Sequence, residues 1–463
     1  MVRSGRWAIG ARRSGRRLAV RPSPDSEATL VDGSRVAVIG GGPAGSLFAY
    51  FLLRLAHTID LDISVDIYEP RHFTHCGPAG CNHCGGIVSE SLVQMLATEG
   101  INLPPTVVQR GIYSYVLHMD AGSVEIESPV EEQRIAAIYR GNGPRTAVDM
   151  PWDSFDGYLQ QIAEKEGAQL VHQLVVGLER DGDLPVVITG EASTAYDLAV
   201  VACGVNSNFH KLLDGTVSEG KPEVSRTFIT EFKLGAEAIL ETLGDSMHVF
   251  LLDIPRLEFA ALIPKGDYVT MAMLGEEIDD DLVKRFLDSP EVREAFPVDL
   301  IPAVCTCAPV INVKGPERPY GERVVLIGDA GITRLYKDGI GAAYRTAKAA
   351  AETAVVHGIS ADDFENHYFP TCRSIANDNW FGRLIFFFTI AVRKSRFVRK
   401  AVLRMTAGEQ TRPKGRHMSS VLWNMFTGSA PYRDVFFNAL HPGFLVGLAR
   451  NLAAGVRPSH KEG

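Results

Sequence analysis

The strongest constraint on the fold is a glycine-rich turn between a buried strand and an apolar helix. In the stretch VAVIGGGPAGSLFAY, Gly40, Gly42 and Gly45 have the spacing G-x-G-x-x-G. The first glycine permits a tight turn, the second lets a phosphate approach the backbone, and the third allows close packing of helix on strand. A second apolar strand ends in Glu69, where a carboxylate can accept hydrogen bonds from ribose hydroxyls. The segment is therefore predicted to be a dinucleotide-binding βαβ unit.

A second glycine-containing motif lies far downstream, in RVVLIGDAGITRLYKDGIGAAYRTA. A buried strand there ends in Gly328 and Asp329, and Gly339, Ile340 and Gly341 open a long Ala-rich helix. Asp329 is predicted to bond the ribityl or pyrophosphate region of FAD. The dipole of the following helix would stabilise the negative charge that a flavin gains at its N1/O2 edge on reduction. The two motifs together predict FAD as the cofactor.

These motifs resemble those of flavoproteins of the p-hydroxybenzoate hydroxylase type, and the chain is most similar to the geranylgeranyl reductase family within that group. The family pairs GxGPAG with a Cys-Gly-Gly stretch, here residues 84–86. It also carries an aromatic residue ahead of Pro-Lys-Gly-Asp, here Phe259 ahead of residues 264–267, and a Gly-Asp-Ala motif. The resemblance covers roughly residues 34–360.

Two segments depart from the family pattern. The hydroxylases have Ala-Asp-Gly where this chain has Cys203 between Ala202 and Gly204. The Arg-x-x-Phe-Asp helix start appears without its arginine ahead of residues 155–156, and Arg145 is the candidate substitute. These differences weigh against a standard hydroxylase more than against FAD binding.

The resemblance implies an α/β fold, namely a Rossmann-like FAD-binding domain with an inserted β-sheet substrate domain and a C-terminal helical tail. Partial alternation of apolar residues predicts strands of the substrate domain over 227–234, 247–252, 259–263 and 268–274. The expected division is a disordered basic leader at 1–33, FAD-binding parts at 34–110, 145–212 and 315–360, substrate-domain parts at 111–144 and 213–314, and a helical C-terminal region at 361–463.

The resemblance also implies an FAD-dependent oxidoreductase, most similar to enzymes that transfer a hydride from the flavin to a C=C bond of an isoprenoid or other apolar substrate. Two alternatives stay open, a flavin monooxygenase that hydroxylates its substrate and a flavin/iron–sulfur electron-relay subunit. The sequence has no second G-x-G-x-x-G motif. The expected electron donor is therefore NAD(P)H that docks transiently, or another protein.

Three cysteines and three histidines fall within RHFTHCGPAGCNHCGGIV, directly after the first βαβ unit. Four interpretations are open. Cys76, Cys81 and Cys84 have the spacing of metal ligands, with His75 or His83 as a further ligand. Cys76 and Cys81 also have the spacing of a redox disulfide, or the thiols simply pack in the interior. The family resemblance favours the fourth interpretation, a loop that forms a wall of the flavin pocket.

The candidate catalytic residues are Cys84 and Cys81, with Cys84 as a proton donor or a group that tunes the flavin. Cys305 and Cys307 alternate along a strand and are expected to pack on one side of it. The motifs and the resemblance together predict that the cofactor is bound by Gly40, Gly42, Pro43, Ala44, Gly45, Glu69, Arg71, Gly85, Gly86, Asp329, Gly339, Ile340 and Gly341.

Charge and cysteine content restrict the remaining classes of function. The formal net charge of −8 gives no support for nucleic-acid binding. Residues 1–24 hold seven arginines and no acidic residue, which is typical of an unstructured extension and also of a transit peptide. The cysteine count of seven is odd and clustered, which favours a reducing cytoplasm over a secreted disulfide framework.

The C-terminal region combines apolar and basic residues. Residues 381–392 are strongly apolar, and the span 381–408 holds seven basic residues and no acidic one. Such a helix either lies at a membrane interface, through 381–404, or is buried with solvated basic neighbours. A second apolar stretch, 435–449, contains His-Pro-Gly and is expected to break into two short helices. The predicted partner is an apolar small molecule or lipid, and no segment is apolar for long enough to span a bilayer.

Overall fold

The computed structural model describes residues 28–456, except 82–83, 130–133, 148–151, 209–212, 214–221, 297–302 and 413. Most of the basic leader and His83 lie outside the described residues. The strands are β1 Ser34–Ile39, β2 Ile63–Tyr68, β3 Ile87–Val88, β4 Val108–Ile112, β5 Ser114–Met119, β6 Gly122–Glu127, β7 Ile135–Ile138, β8 Gln169–Val171, β9 Val175–Asp181, β10 Leu184–Thr189, β11 Ser193–Ala195, β12 Leu198–Val201, β13 Glu223–Lys233, β14 Ser246–Phe250, β15 Leu257–Lys265, β16 Tyr268–Gly275, β17 Ala303–Cys307, β18 Val310–Lys314, β19 Tyr320–Gly321 and β20 Val324–Leu326.

The helices follow the predicted distribution, with a long helical region after the last strand. A 3₁₀ turn covers Gly328–Ala330, and a π-helical turn covers Phe364–Tyr368. The α-helices are α1 Pro43–Thr58, α2 Glu90–Thr98, α3 Phe155–Lys165, α4 Ala236–Thr242, α5 Asp280–Leu287, α6 Pro290–Ala295, α7 Gly339–Val356, α8 Ala361–Asp363, α9 Phe369–Lys394, α10 Arg396–Gln410, α11 His417–Thr427, α12 Tyr432–Ala439 and α13 Pro442–Val456.

A largely parallel sheet in the order β19-β20-β12-β1-β2-β8 forms the centre of the first domain. Its central strands are continuous apolar runs, as expected for strands covered on both faces. In register, Val36 of β1 lies beside Leu198 of β12 and Val65 of β2. Helices α1 and α7 pack on one face through Leu47, Ala347 and their neighbours, so the two glycine-rich motifs are brought side by side.

A second sheet, in the order β17-β13-β16-β15-β14-β5-β6, lies over the first domain. Antiparallel pairs join β13 to β16, β16 to β15 and β15 to β14, and β5 joins β14 in parallel. The four strands predicted between residues 227 and 274 all belong to this sheet. We refer to it as the substrate sheet.

The C-terminal helices pack on the substrate sheet and share a core with it. Trp423 and Phe426 of α11 contact the ring of Tyr115 on β5, with ring centroids 5.5 and 5.9 Å apart. Val402 of α10 and Val249 of β14 belong to the same buried cluster. As expected, the second apolar stretch is divided between α12 and α13. Among the described residues, no helix is both long and apolar enough to cross a membrane.

Candidate cofactor and substrate site

A cavity of about 850 Å³ lies between the carboxyl ends of the parallel strands and the substrate sheet. Ligands in open α/β sheets bind at this edge, where loops leave the strands. The cavity walls include Cys84 and most of the predicted cofactor residues, namely Gly40, Gly42, Pro43, Ala44, Glu69, Arg71, Gly85, Gly86, Asp329, Gly339 and Ile340. Gly45, Gly341 and Cys81 do not line it.

The turn between β1 and α1 requires glycine at two positions. Gly40 has φ +108°, and a Cβ there would lie 2.7 Å from the backbone of Ala202 on the neighbouring strand end. A Cβ on Gly45 would lie 1.9 Å from the carbonyl oxygen of Gly40. Pro43 occupies the first turn of α1, where its missing N–H costs nothing. The N-terminus of α1 therefore faces the cavity with backbone close enough for a phosphate to approach.

Glu69 closes the other side of this turn. Its Oε2 accepts a hydrogen bond from the N–H of Gly41 at 3.0 Å, and its Oε1 accepts one from the N–H of Arg71 at 3.1 Å. Burial raises the pKa of Glu69 above its ordinary value, while the amides of Arg71 and Gly41 oppose that shift. The side chain of Gln160 donates to the carbonyl oxygen of Gly41 at 3.1 Å. The carboxylate is thus fixed at the cavity wall.

The second motif lies directly beside the first. Gly328 has φ +59°, and a Cβ there would lie 2.8 Å from the Cβ of Ala44, so the turn after β20 touches the start of α1. Asp329 lines the cavity, and burial raises the pKa of its carboxyl group. The side chain of Asn312 donates to the backbone oxygen of Asp329 at 2.9 Å and holds the turn in place.

Asp338, which the sequence reasoning did not single out, organises the start of α7. Its buried carboxylate accepts hydrogen bonds from Ser89 at 3.2 Å, Arg334 at 3.2 Å and Arg345 at 3.1 Å. A Cβ on Gly341 would lie 2.2 Å from its Oδ1, so this glycine makes room for the carboxylate. The sequence feature that could have identified Asp338 is its position immediately before the Gly-x-Gly start of a helix.

Arg140 and Asp156 form a buried bidentate ion pair at the start of α3. The guanidinium donates from Nε and Nη2 to the two carboxylate oxygens at 2.9 and 2.8 Å. Burial alone would lower the pKa of Arg140, but the Asp156 charge raises it. The arginine that serves the helix start is therefore Arg140, which lines the cavity, and Arg145 lies against Gly77 instead.

The Cys-Gly-Gly stretch forms part of the cavity wall. Gly86 has φ +70°, and a Cβ there would lie 2.1 Å from the carbonyl oxygen of Ile138. A Cβ on Gly85 would meet Ile263 at an ordinary 3.5 Å, so only Gly86 is required by the backbone. The N–H of Gly86 donates to the sulfur of Cys84 at 3.3 Å, which holds this thiol at the wall.

The remaining cysteines lie in different surroundings, and the cysteines are free thiols. Cys76 donates to the carbonyl oxygens of Asn142 and Ala147 at 3.1 and 3.2 Å. The carbonyl oxygen of Cys81 accepts from Arg71 at 3.4 Å. Burial raises the pKa of Cys307 to about 12, and Cys81 is near enough to add to that shift. Within the described part of the chain, no group of three or more His, Cys, Asp or Glu side chains is arranged to hold a metal ion.

The substrate sheet gives the cavity an apolar roof. Alternate residues of β15, namely Phe259, Ala261 and Ile263, line it. Ala261 lies opposite Ala272 of β16, and this pair of small side chains leaves space above Gly85. The cavity thus joins a polar floor, fitted to phosphates and ribose, to an apolar roof.

A buried polar cluster lies behind the Cys-Gly-Gly wall. Thr270 donates to the carboxylate of Glu231 at 2.8 Å, and Tyr139 donates to it at 3.4 Å. The Nζ of Lys265 lies 4.6 Å from the centroid of the Tyr139 ring and has no hydrogen bond to any described residue. Burial lowers the pKa of Lys265 and raises that of Glu231. Each group's charge acts on the pKa of the other, and the Nζ of Lys265 lies directly beside Gly86.

The geometry of the floor fits FAD. Two helix N-termini and two carboxylates converge on it, and the glycines leave the space that a Cβ would fill. These are the features by which a dinucleotide is held at the edge of a parallel sheet. The predicted fold class and cofactor are in agreement with this arrangement.

Comparisons with known proteins agree with the motifs. The chain is 25% identical over 342 residues to geranylgeranyl diphosphate reductase of Synechocystis sp., with 69% of this chain and 75% of the relative covered. It is 24% identical over 350 residues to the chloroplastic geranylgeranyl diphosphate reductase of Arabidopsis thaliana, with 70% of this chain and 66% of the relative covered. No family model matches the chain.

Solved structures extend the comparison to the fold. Halogenase PltM in complex with phloroglucinol and FAD superposes with a TM-score of 0.58 at 13% identity, covering 92% of this chain and 97% of that one. A flavoprotein/dehydrogenase from Cytophaga hutchinsonii gives a TM-score of 0.57 at 15% identity, covering 92% and 98%. By sequence the chain is therefore similar to the geranylgeranyl diphosphate reductases, and it shares the fold of solved FAD-binding flavoproteins.

Proposed function

We propose that this protein holds FAD in the cavity and reduces a C=C bond of an isoprenoid or other apolar substrate. The observation that carries the proposal is the continuity of the phosphate-binding floor with the apolar roof on the substrate sheet. Bound FAD would supply the hydride. The relatives named geranylgeranyl diphosphate reductase support the isoprenoid class of substrate.

The cofactor-holding roles follow from the contacts described above. The N-termini of α1 and α7 present unpaired N–H groups and the positive ends of their dipoles to phosphate and to the flavin edge. Glu69 is the acceptor for ribose hydroxyls, and Asp329 orients the central part of the cofactor. Arg71 and Arg140 add positive charge to the walls.

The proposed proton donor is the thiol of Cys84. It lines the cavity and is tied to the backbone of Gly86, so its position relative to the roof is fixed. Saturation of a C=C bond needs one proton at the carbon that does not receive the hydride, and a thiol held at the wall can deliver it. Solvent protons then restore the thiol.

The division into FAD-binding, substrate and C-terminal regions that the sequence predicts is also part of the proposal. The electron donor is proposed to be NAD(P)H or a partner protein. A comparison of flavin reduction by NADH, NADPH and dithionite identifies which source the holoprotein accepts.

The decisive test is an anaerobic assay with geranylgeranyl diphosphate and the reduced holoprotein. Mass spectrometry should show a gain of two hydrogen atoms for each bond reduced. An unchanged substrate with a gain of oxygen under air would replace the proposal by hydroxylation. A visible absorption band beyond those of flavin, lost on reduction, would instead support an iron–sulfur relay.

We further propose that the C-terminal helices contact a membrane surface. Phe387 and Phe388 of α9 are 67% and 57% exposed, and Phe437, Leu440 and Val446 are also exposed. Three basic side chains, Lys394 at the end of α9 and Arg396 and Lys400 on α10, lie exposed nearby in the chain. An exposed apolar face with a basic margin is typical of binding to anionic lipids.

Liposome sedimentation of the full chain tests this contact. Vesicles with anionic lipid should bind the wild-type protein and bind less of a Phe388→Ser, Phe437→Ser double variant. A Glu241→Gln variant, on the exposed surface of α4, is the matched control and should bind as the wild type does. Equal partitioning of all three proteins would rule the contact out.

A further inference from the structure

A second cavity of about 430 Å³ lies between α9 and the substrate sheet. One wall consists of Val249 and Leu251 at the end of β14 and Phe259 of β15. The opposite wall is one face of α9. A third wall is the segment 335–337, which leads from the Gly-Asp-Ala turn to the start of α7. The lining is completed by residues of neighbouring strands and of α11, namely Glu223, Glu258, Val313, Lys314, Met425 and Phe426.

The two cavities share a partition. Phe259, Tyr336, Lys337 and Phe426 line both of them. These side chains come from a strand, a loop and a helix, so the partition is a set of side chains and not a continuous layer of backbone. A molecule that extends past it would lie in both cavities at once.

The α9 face has the spacing of one side of a helix. Arg383, Phe387, Ile390 and Arg393 follow one another at intervals of three or four residues, and all four line the second cavity together with Phe386. Phe387 is 67% exposed and Ile390 is 41% exposed. The second cavity therefore opens to the protein surface along α9, at the face with the exposed aromatic residues.

Contacts within the partition tie it to both sides. The ring of Tyr336 lies edge-on to Phe386 of α9, with centroids 4.8 Å apart. The Nζ of Lys337 donates to the carbonyl oxygen of Phe426 at 3.1 Å and lies 4.9 Å from the centroid of the Phe259 ring. Tyr336 has φ +60°, a left-handed conformation held by these surroundings. The loop is thus built to place a ring between the cavities.

We infer that the two cavities form one channel that admits a long acyclic apolar chain from the α9 surface, so that the protein selects its substrate by chain length. The inference rests on the proposed function for the identity of the reacting end, which would lie under the roof in the first cavity. The far end of the chain lies beyond Tyr336, against α9. A substrate short enough to fit inside the first cavity makes no contact with α9.

The test fills the second cavity and measures binding, which does not depend on turnover. Ile390→Trp and Thr389→Phe each enlarge a lining side chain on α9, and Ala376→Phe is the matched control, since Ala376 is exposed on the same helix and lines neither cavity. The holoprotein of each variant is titrated with saturated prenyl diphosphate analogues of ten and twenty carbons. FAD content and thermal melting confirm that each variant is folded.

Both filling variants should weaken binding of the twenty-carbon analogue by about tenfold or more, which corresponds to losing the burial of about two methylene groups. Binding of the ten-carbon analogue should stay unchanged, and Ala376→Phe should leave both affinities unchanged. Equal effects on the two analogues, or none on either, would overturn the channel. If the channel binds the long analogue but the wild type reduces no prenyl substrate, the proposed function fails and the channel stands.

Discussion

The substitution Gly86→Ala should destabilise the fold, for reasons that can be worked out from contacts. The residue has φ +70°, which costs alanine about 1 kcal/mol relative to glycine. Its Cβ would lie 2.1 Å from the oxygen of Ile138, a separation that forces one backbone segment to move. That movement breaks the 2.8 Å hydrogen bond from the N–H of Ile138 to the carbonyl oxygen of Gly86, at a cost of about 1 kcal/mol. The steric overlap that remains between the Cβ and the oxygen of Ile138 adds about 1 kcal/mol, so the total loss of folding free energy is about 3 kcal/mol.

Urea unfolding followed by circular dichroism measures this cost. With a slope of about 3 kcal/mol per molar urea, the midpoint should fall by about 1 M. Gly85→Ala is the matched control, because its Cβ would meet Ile263 and Ala272 at 3.5 and 4.0 Å, which are ordinary contacts. It should leave the midpoint nearly unchanged while it narrows the cavity. Equal shifts for the two variants would refute the steric argument.

Three other outcomes are expected. Asp156→Asn leaves the buried guanidinium of Arg140 without its counter-charge and should lower the free energy of unfolding by about 3 kcal/mol in urea titrations. Burial lowers the pKa of His118 to about 3 and that of His248 to about 4, so both side chains are neutral in the folded protein. The free energy of unfolding should therefore fall as the pH drops below 6.5, by about 2 kcal/mol per histidine at pH 5. Urea midpoints at pH 7 and pH 5 measure this loss, which His118→Gln should halve. Cys84→Ala should retain FAD but slow flavin re-oxidation by substrate, and full turnover in stopped-flow assays would remove the thiol from the mechanism.

The fold could be predicted from the sequence where contacts between residues close together in the chain determine the backbone conformation. Gly40 must be glycine because of its contact with Ala202, and Gly45 because of its contact with Gly40 in the same turn. Such requirements produce glycines at a fixed spacing in the sequence. The strands of the substrate sheet were predictable because alternation along a strand reflects one buried face. Both kinds of signal come from residues that are close together in the sequence.

The buried polar pairs were not predictable, because their partners are distant in the sequence. Glu231 and Lys265 come close enough to shift each other's pKa only because β13 and β15 lie on either side of β16. Arg140 reaches Asp156 from the far side of a loop, whereas the sequence offered Arg145 as the candidate substitute. No spacing rule links such residues, so the charges around the Cys-Gly-Gly wall were visible only in the fold.

The basic residues of the C-terminal region show why composition left two interpretations open. Arg399 is 3% exposed and donates to the carboxylate of Asp120 at 2.6 Å, so it is neither solvated nor free to contact lipid. Arg393 and Arg404 donate to backbone carbonyl oxygens. Lys394 and Lys400 stay exposed. Some residues of the basic run therefore hold the C-terminal helices in place, and others lie on the protein surface. A count of charges cannot distinguish these two groups.

The C-terminal helices help to position the residues that line the two cavities. The buried guanidinium of Arg334 binds Asp338 at the start of α7 and also the backbone oxygens of Gly428 and Ala430, between α11 and α12. The side chain of Asn379 on α9 holds both ends of the same loop, through Thr333 and Leu335. The segment that carries Tyr336 is therefore fixed on one side by α7 and on the other by α9. Any contact that shifts α9, whether with a membrane or with a long substrate, acts directly on the wall between the two cavities.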